Sequence, residues 1–173
     1  MSTESTIRMK PARGHTRKTL ATLMSFVFIA ILGLKYDARV HSQVTEASKV
    51  QYVGVSLGNR TIKATLANTG PLRVEGLLGW TSINDESGML LDFVMDGIYA
   101  IHMQGMRFPI DAIWIDSSDT IRLIYENIQP DSGVTYPSLF PSRYCLEVKA
   151  GFCKRFNVRS GQKVLFGVYS PKN

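Results

Sequence analysis

The chain reads as a mainly β domain, a sandwich or barrel carrying two short helices, set behind an apolar N-terminal segment. Three observations predict this. Short apolar runs with strand-like alternation recur from residue 51 onward. Gly, Pro, Asn and Asp punctuate them at short intervals. Residues 19–34, TLATLMSFVFIAILGL, form an uncharged run preceded by basic residues and closed by Lys35. With 173 residues, 45% hydrophobic and 20% charged, the chain suffices for one globular domain plus a tail.

The leader comes first. Residues 1–18 are polar and basic, 19–34 apolar, and 35–50 polar enough to serve as a linker. A basic head followed by an apolar stretch is the layout of an export signal. The run spans about 24 Å as a helix, short of the ~30 Å hydrocarbon core. Two outcomes are therefore open: cleavage after Ser42, or retention as an N-terminal membrane anchor. Basic residues before the run place the N-terminus in the cytoplasm. The body is then exported, periplasmic or held at the inner membrane with its C-terminal domain outside the cytoplasm.

The body, residues 51–173, is taken as a single domain. Gln51 to Leu57 and Thr61 to Ala67 alternate, and Gly58-Asn59 between them makes a hairpin. Thr69 caps a helix over residues 71–78, with Pro71 in its first turn. Residues 82–88 read as a loop. Met89 to Val94 and Ile98 to Met103 read as strands. Ile110 to Ile115 is apolar, with Asp111 at its start, and Ile121 to Ile128 alternates. Residues 129–142 hold three prolines and read as a long surface loop. Arg143 to Val148 turns Tyr144, Leu146 and Val148 inward and Arg143, Cys145 and Glu147 to the other face. Lys149 to Phe156 reads as a short helix ended by Asn157, and Lys163 to Tyr169 as a last strand.

Charge excludes one class of partner. Of the overall net charge of +6, +5 comes from residues 1–42, where seven basic side chains meet only Glu4 and Asp37. The rest carries 13 basic and 12 acidic side chains. A nearly neutral body lacks the footprint of a phosphate-backbone binder, so no nucleic acid is expected.

From about Asn59 to Gly167 the chain resembles the domain of unknown function 192 family of small, often exported bacterial and archaeal proteins. The matching pieces are Gly76-Leu77-Leu78, Gly88-Met89-Leu90, Met103-Gln104-Gly105, Pro109-Ile110-Asp111 and Asp116. They continue with Tyr136-Pro137, Pro141, Arg143-Tyr144, Leu146-Glu147-Val148, Ala150-Gly151 and Gly161. The resemblance implies a jelly-roll-like antiparallel β-sandwich and brings no catalytic residues. Two departures stand out. Ile101-His102 replaces an aromatic pair, and residues 129–134 lack the cysteines that many members carry there.

The chemistry-bearing residues leave several roles open. Asp111, at a strand start beside apolar neighbours, suits an acid or base, or a structural bond to a nearby turn or to Arg143, the more frequent role of a buried carboxylate. Arg143 and Glu147 share a strand face, fit for a carboxylate or phosphate ligand or for a cross-strand ion pair. Met103 and Gln104 suit a pocket rim or packing at a strand end. Only His102 lies outside the leader, so no metal site is expected. A Cys145–Cys153 disulfide is open in an oxidising compartment, against a strand and helix that hold the two apart. No nucleophile elbow, P-loop or dinucleotide fingerprint occurs. No cofactor follows from these residues.

These residues suit a cell-envelope binding module for a small ligand or a protein, its cleft rimmed by Met103, Gln104, Asp111, Tyr136, Arg143 and Glu147, rather than an enzyme. Two alternatives remain. One is an envelope hydrolase using Asp111 and Glu147 as paired carboxylates. The other is a structural or assembly factor with a protein partner. The membrane is a further partner, through residues 19–34, if the signal is uncleaved.

Overall fold

The structure, a computed structural model, describes residues 50–169. The predicted signal or anchor over residues 19–34 lies outside the described residues. No helix among the described residues is long and apolar enough to cross a membrane.

The described residues form nine strands and two short helices. The strands are β1 (Tyr52–Leu57), β2 (Arg60–Ala67), β3 (Ser87–Gly97), β4 (Ala100–His102), β5 (Ile110–Ile115), β6 (Ile121–Ile128), β7 (Thr135–Pro137), β8 (Ser142–Lys149) and β9 (Val164–Gly167). The helices are α1 (Gly70–Glu75) and α2 (Phe152–Phe156). Seven strands make one sheet in the order β6-β5-β8-β3-β2-β1-β9, and β4 and β7 make a second, two-stranded sheet. The long sheet curls until its edges meet. Ile121 N–H donates to Gln162 O at 2.9 Å and Val164 N–H to Asp119 O at 2.8 Å. This contact shields edges that would otherwise offer unpaired backbone groups.

The β1–β2 hairpin forms as its alternation predicts, turning at Gly58 with φ of 59°. The chain then departs from a wholly antiparallel sheet. β2 and β3 run parallel, Ala67 opposite Leu91. A parallel pair needs a crossover, and residues 68–86, with α1, supply it. Residues 129–142 depart too, because Thr135–Pro137 pairs with β4 as β7. A strand this short, ending in proline, gives almost no periodic signal.

Strand periodicity sorts the core into two clusters, one on each face of the long sheet. Leu90, Ile113, Ile115, Leu146 and Val148 join Val55, Ile62 and Phe152 on one face. Met89, Leu91, Ala112, Trp114 and Cys145 join Leu77, Ile101 and Met103 on the other. All six residues of β5 are buried. The face of β8 that carries Cys145 and Glu147 is therefore a second interior, roofed by β4, β7 and the segment after α1. The two thiols are free and belong to different clusters. The sheet lies between them, so no disulfide is formed.

Candidate functional site

Register decides which polar groups meet. β5 and β8 are antiparallel, with Asp111 opposite Val148 and Ala112 opposite Glu147. Directly opposed residues share a face, and neighbours along a strand take opposite faces. Asp111 and Glu147 therefore lie on opposite faces of the sheet.

Asp111 is wholly engaged in structure. Its Oδ1 accepts from Asn127 N–H at 2.8 Å and Gly151 N–H at 3.0 Å, and its Oδ2 accepts from Cys153 N–H at 2.9 Å. It joins β6 and the start of α2 to β5, capping a helix whose own N-cap, Gly151, has no side chain to do so. The bond expected to a neighbouring turn is present. The one to Arg143 is not. Arg143 instead holds Asp92 with two bonds, Nε–Oδ1 at 3.1 Å and Nη2–Oδ2 at 3.2 Å. Burial works against the charged form of Asp92. The Arg143 bond, the Val94 N–H and the charges of Arg143 and Arg73 outweigh it and hold the carboxyl below its ordinary value. Tyr136 donates to Ser132 Oγ at 3.0 Å and meets the Tyr125 ring edge-on at 5.3 Å. Met103 is a core residue, while Gln104 is exposed.

Glu147 differs from all of these. It is 7% exposed. Burial raises its carboxyl to about 7, and no hydrogen bond to that carboxyl is formed among the described residues. It opens onto a cleft of about 450 Å³. The walls are apolar: Leu77 and Leu78 after α1, Leu91 and Phe93 on β3, Ile101 on β4, and Met106. Arg73, Glu75 and His102 add polar groups to the lining. Arg73 Nη1 donates to Asp92 O at 2.7 Å, which ties α1 to β3. On the same face, Trp114 Nε1 is buried without a partner among the described residues, and the Trp114 ring stacks on Phe93 at 5.9 Å.

Of the six residues expected at a shared cleft, only Glu147 lines this one. Sequence reasoning missed Arg73, Phe93 and His102. Phe93 and His102 lie on strands that were recognised, but their joint position depends on the β4–β7 sheet, which was not. Among the described residues no cluster of His, Cys, Asp and Glu is placed to hold a metal.

The fold and site thus define a curled β domain with a mainly apolar cleft floored by one buried acid. Residues 53–166 match the domain of unknown function 192 family, described as an uncharacterised ACR, and the chain belongs to that family. A Sinorhizobium meliloti protein, provisionally named a transcription regulator, is 32% identical with a TM-score of 0.61, the match covering 69% of this chain and 98% of that one. A Novosphingobium aromaticivorans protein of unknown function shares the fold at 24% identity and a TM-score of 0.62, covering 67% of this chain and 84% of that one. No curated protein matches the chain.

Proposed function

We propose that this domain is a binding module of the cell envelope whose small ligand occupies the cleft between α1 and β4. The observation that carries the reading is the Glu147 carboxyl, buried, lining an apolar cavity and without a hydrogen bond among the described residues. Such a group is expensive to leave unmatched. A ligand with an apolar body and one amine or hydroxyl donor would satisfy it, the body filling the space between Leu91, Phe93 and Met106. Pockets that bind small molecules commonly pair apolar walls with a few placed polar groups.

A jelly-roll-like sandwich is the form in which we read the curled sheet with its small second sheet. The basic leader and the apolar run of residues 19–34 support export and retention at the membrane. The two carboxylates proposed for hydrolysis lie on opposite faces of the sheet, which favours binding over that chemistry. The nearly neutral body gives little support to carrying over the regulator name of the Sinorhizobium relative.

Thermal denaturation of residues 43–173 in the presence of envelope amines, alcohols and cell-wall fragments tests the reading. A ligand of the folded state raises the midpoint by mass action. The expected result is a hit that Glu147→Gln weakens at least tenfold. A hit unchanged by Glu147→Gln would overturn the assignment of Glu147.

A further inference from the structure

One tip of the domain exposes apolar side chains on a rigid frame. Val94, Met95 and Ile98 lie at and after the end of β3, and Leu139 and Phe140 in the turn before β8; each is between 44% and 66% exposed. The two segments are joined. Ser138 N–H donates to Tyr99 O at 2.8 Å, Tyr99 N–H to Ser138 Oγ at 3.3 Å, and Gly97 pairs with Ser142. Asp96 fastens the tip to the next turn by accepting from both the N–H and the hydroxyl of Ser117.

Two of these side chains sit on unusual backbone. Val94 has φ of 74° and Leu139 of 57°. Bulky residues, and β-branched ones above all, avoid this left-handed region. Burial does not hold them there, since both side chains face solvent. Strain kept at an exposed apolar position is a pointer to function.

The register shows what lies near the tip. Leu66 N–H donates to Gln51 O, and Ala67 is opposite Leu91. Going backward from Val50, the chain therefore heads the same way as β3 does from Leu91 toward Val94. Fifteen residues, 35–49, separate this point from the uncharged run of residues 19–34, a reach of at most about 50 Å. Asp92 is paired with Arg143, Asp96 is exposed and keeps its charge while accepting from Ser117, and Arg122 lies 5.5 Å over the Phe140 ring, so the tip is an apolar surface with charges at its margin.

We propose that the tip formed by Val94, Met95, Ile98, Leu139 and Phe140 rests in the surface of the lipid bilayer that holds residues 19–34. The proposal rests on the reading of those residues as a retained anchor. Contact of this kind follows buried apolar area, so it requires no anionic lipid.

The test uses the full chain carrying Met95→Cys, labelled with a polarity-sensitive fluorophore, and a Leu165→Cys control on exposed β9. Cys145 and Cys153 are buried, their thiols pushed up by burial, so the new thiol is the one labelled within the described domain. Each protein is reconstituted into phosphatidylcholine vesicles containing brominated lipid. The expected result is a blue shift and at least twofold quenching at position 95 and neither at position 165, with no phosphatidylglycerol present. Vesicle-bound chain with position 95 still in water overturns the tip proposal and leaves the anchor intact. Full chain that stays out of the vesicles overturns the anchor reading and the proposal with it. A blue shift in buffer alone, lost in residues 43–173, also overturns it and makes residues 19–34 themselves the occupant.

Discussion

At the scale of single residues, two buried carboxylates of one domain behave oppositely because their neighbours differ. Asp111 accepts three backbone N–H bonds and serves as a structural bracket. Glu147 accepts none among the described residues, and its carboxyl titrates near 7 instead of its ordinary 4.5. A carboxyl raised on folding stabilises the fold while protonated, and that stability is lost as pH rises from about 4.5 through about 7. The loss is of order 3 kcal/mol. Glu147→Gln removes the charge and keeps the shape. Denaturant melts should show the variant more stable than the parent at pH 8, by up to about 3 kcal/mol, and little different at pH 4. A parent at least as stable as the variant at pH 8 would contradict the buried, unmatched acid. Asp111→Asn turns an acceptor toward a donor at Cys153 N–H, and should cost about 3 kcal/mol at neutral pH. The sequence marked both residues as worth attention. It did not tell them apart, because the partners of Asp111 come from segments 16, 40 and 42 residues away.

At the scale of elements, the strands with clear alternation or solid apolar runs were legible, and β5 and β6 fall at the bounds their patterns predict. What the pattern did not reveal is how many faces a strand buries. β8 has the alternation of a strand with one wet face, yet Cys145 and Glu147 are interior, since a separate pair of short strands roofs them. Gly88 shows how tightly the opposite face of the same strands is packed. A Cβ there would lie 2.9 Å from Glu147 O and 3.1 Å from Ile62 Cδ1. Gly88→Ala should therefore destabilise the domain by about 1–3 kcal/mol. It should also displace the backbone of β8 at Glu147, so binding at the cleft should weaken more than the loss of stability alone explains. Isothermal titration at a temperature where the variant is fully folded checks this. Binding equal to the parent would separate Gly88 from the site.

At the scale of the whole molecule, the β class and the two helices were readable from turn residues and periodicity. The topology was not, because one parallel pairing depends on where the α1 crossover lands, and no local pattern encodes that. The candidate site was the least legible part. Its walls come from α1, β3, β4 and β8, whose meeting is a property of the curled sheet as a unit. The closure of that sheet implies cooperative unfolding. β6 and β9 are distant in strand order, yet they are bonded through Thr120, Ile121 and Lys163–Val164. Urea melts followed by Trp fluorescence and by far-ultraviolet circular dichroism should therefore coincide. Separate midpoints would show that the seam opens first.

α1 stands apart from this cooperativity. None of its own residues is buried, and it is held by the Thr69 cap, the Arg73–Asp92 bond and the buried Leu77 that follows it. Its amide protons should therefore exchange through small local openings, much sooner than those of β3 and β8, whose exchange should await global unfolding. The cleft then has one soft wall and one stiff floor. A guest larger than the resting cavity can enter by displacing six residues of helix while the sheet that carries Glu147 keeps its form. A bound guest should be recorded as slowed exchange along α1, which makes that helix a reporter of occupancy.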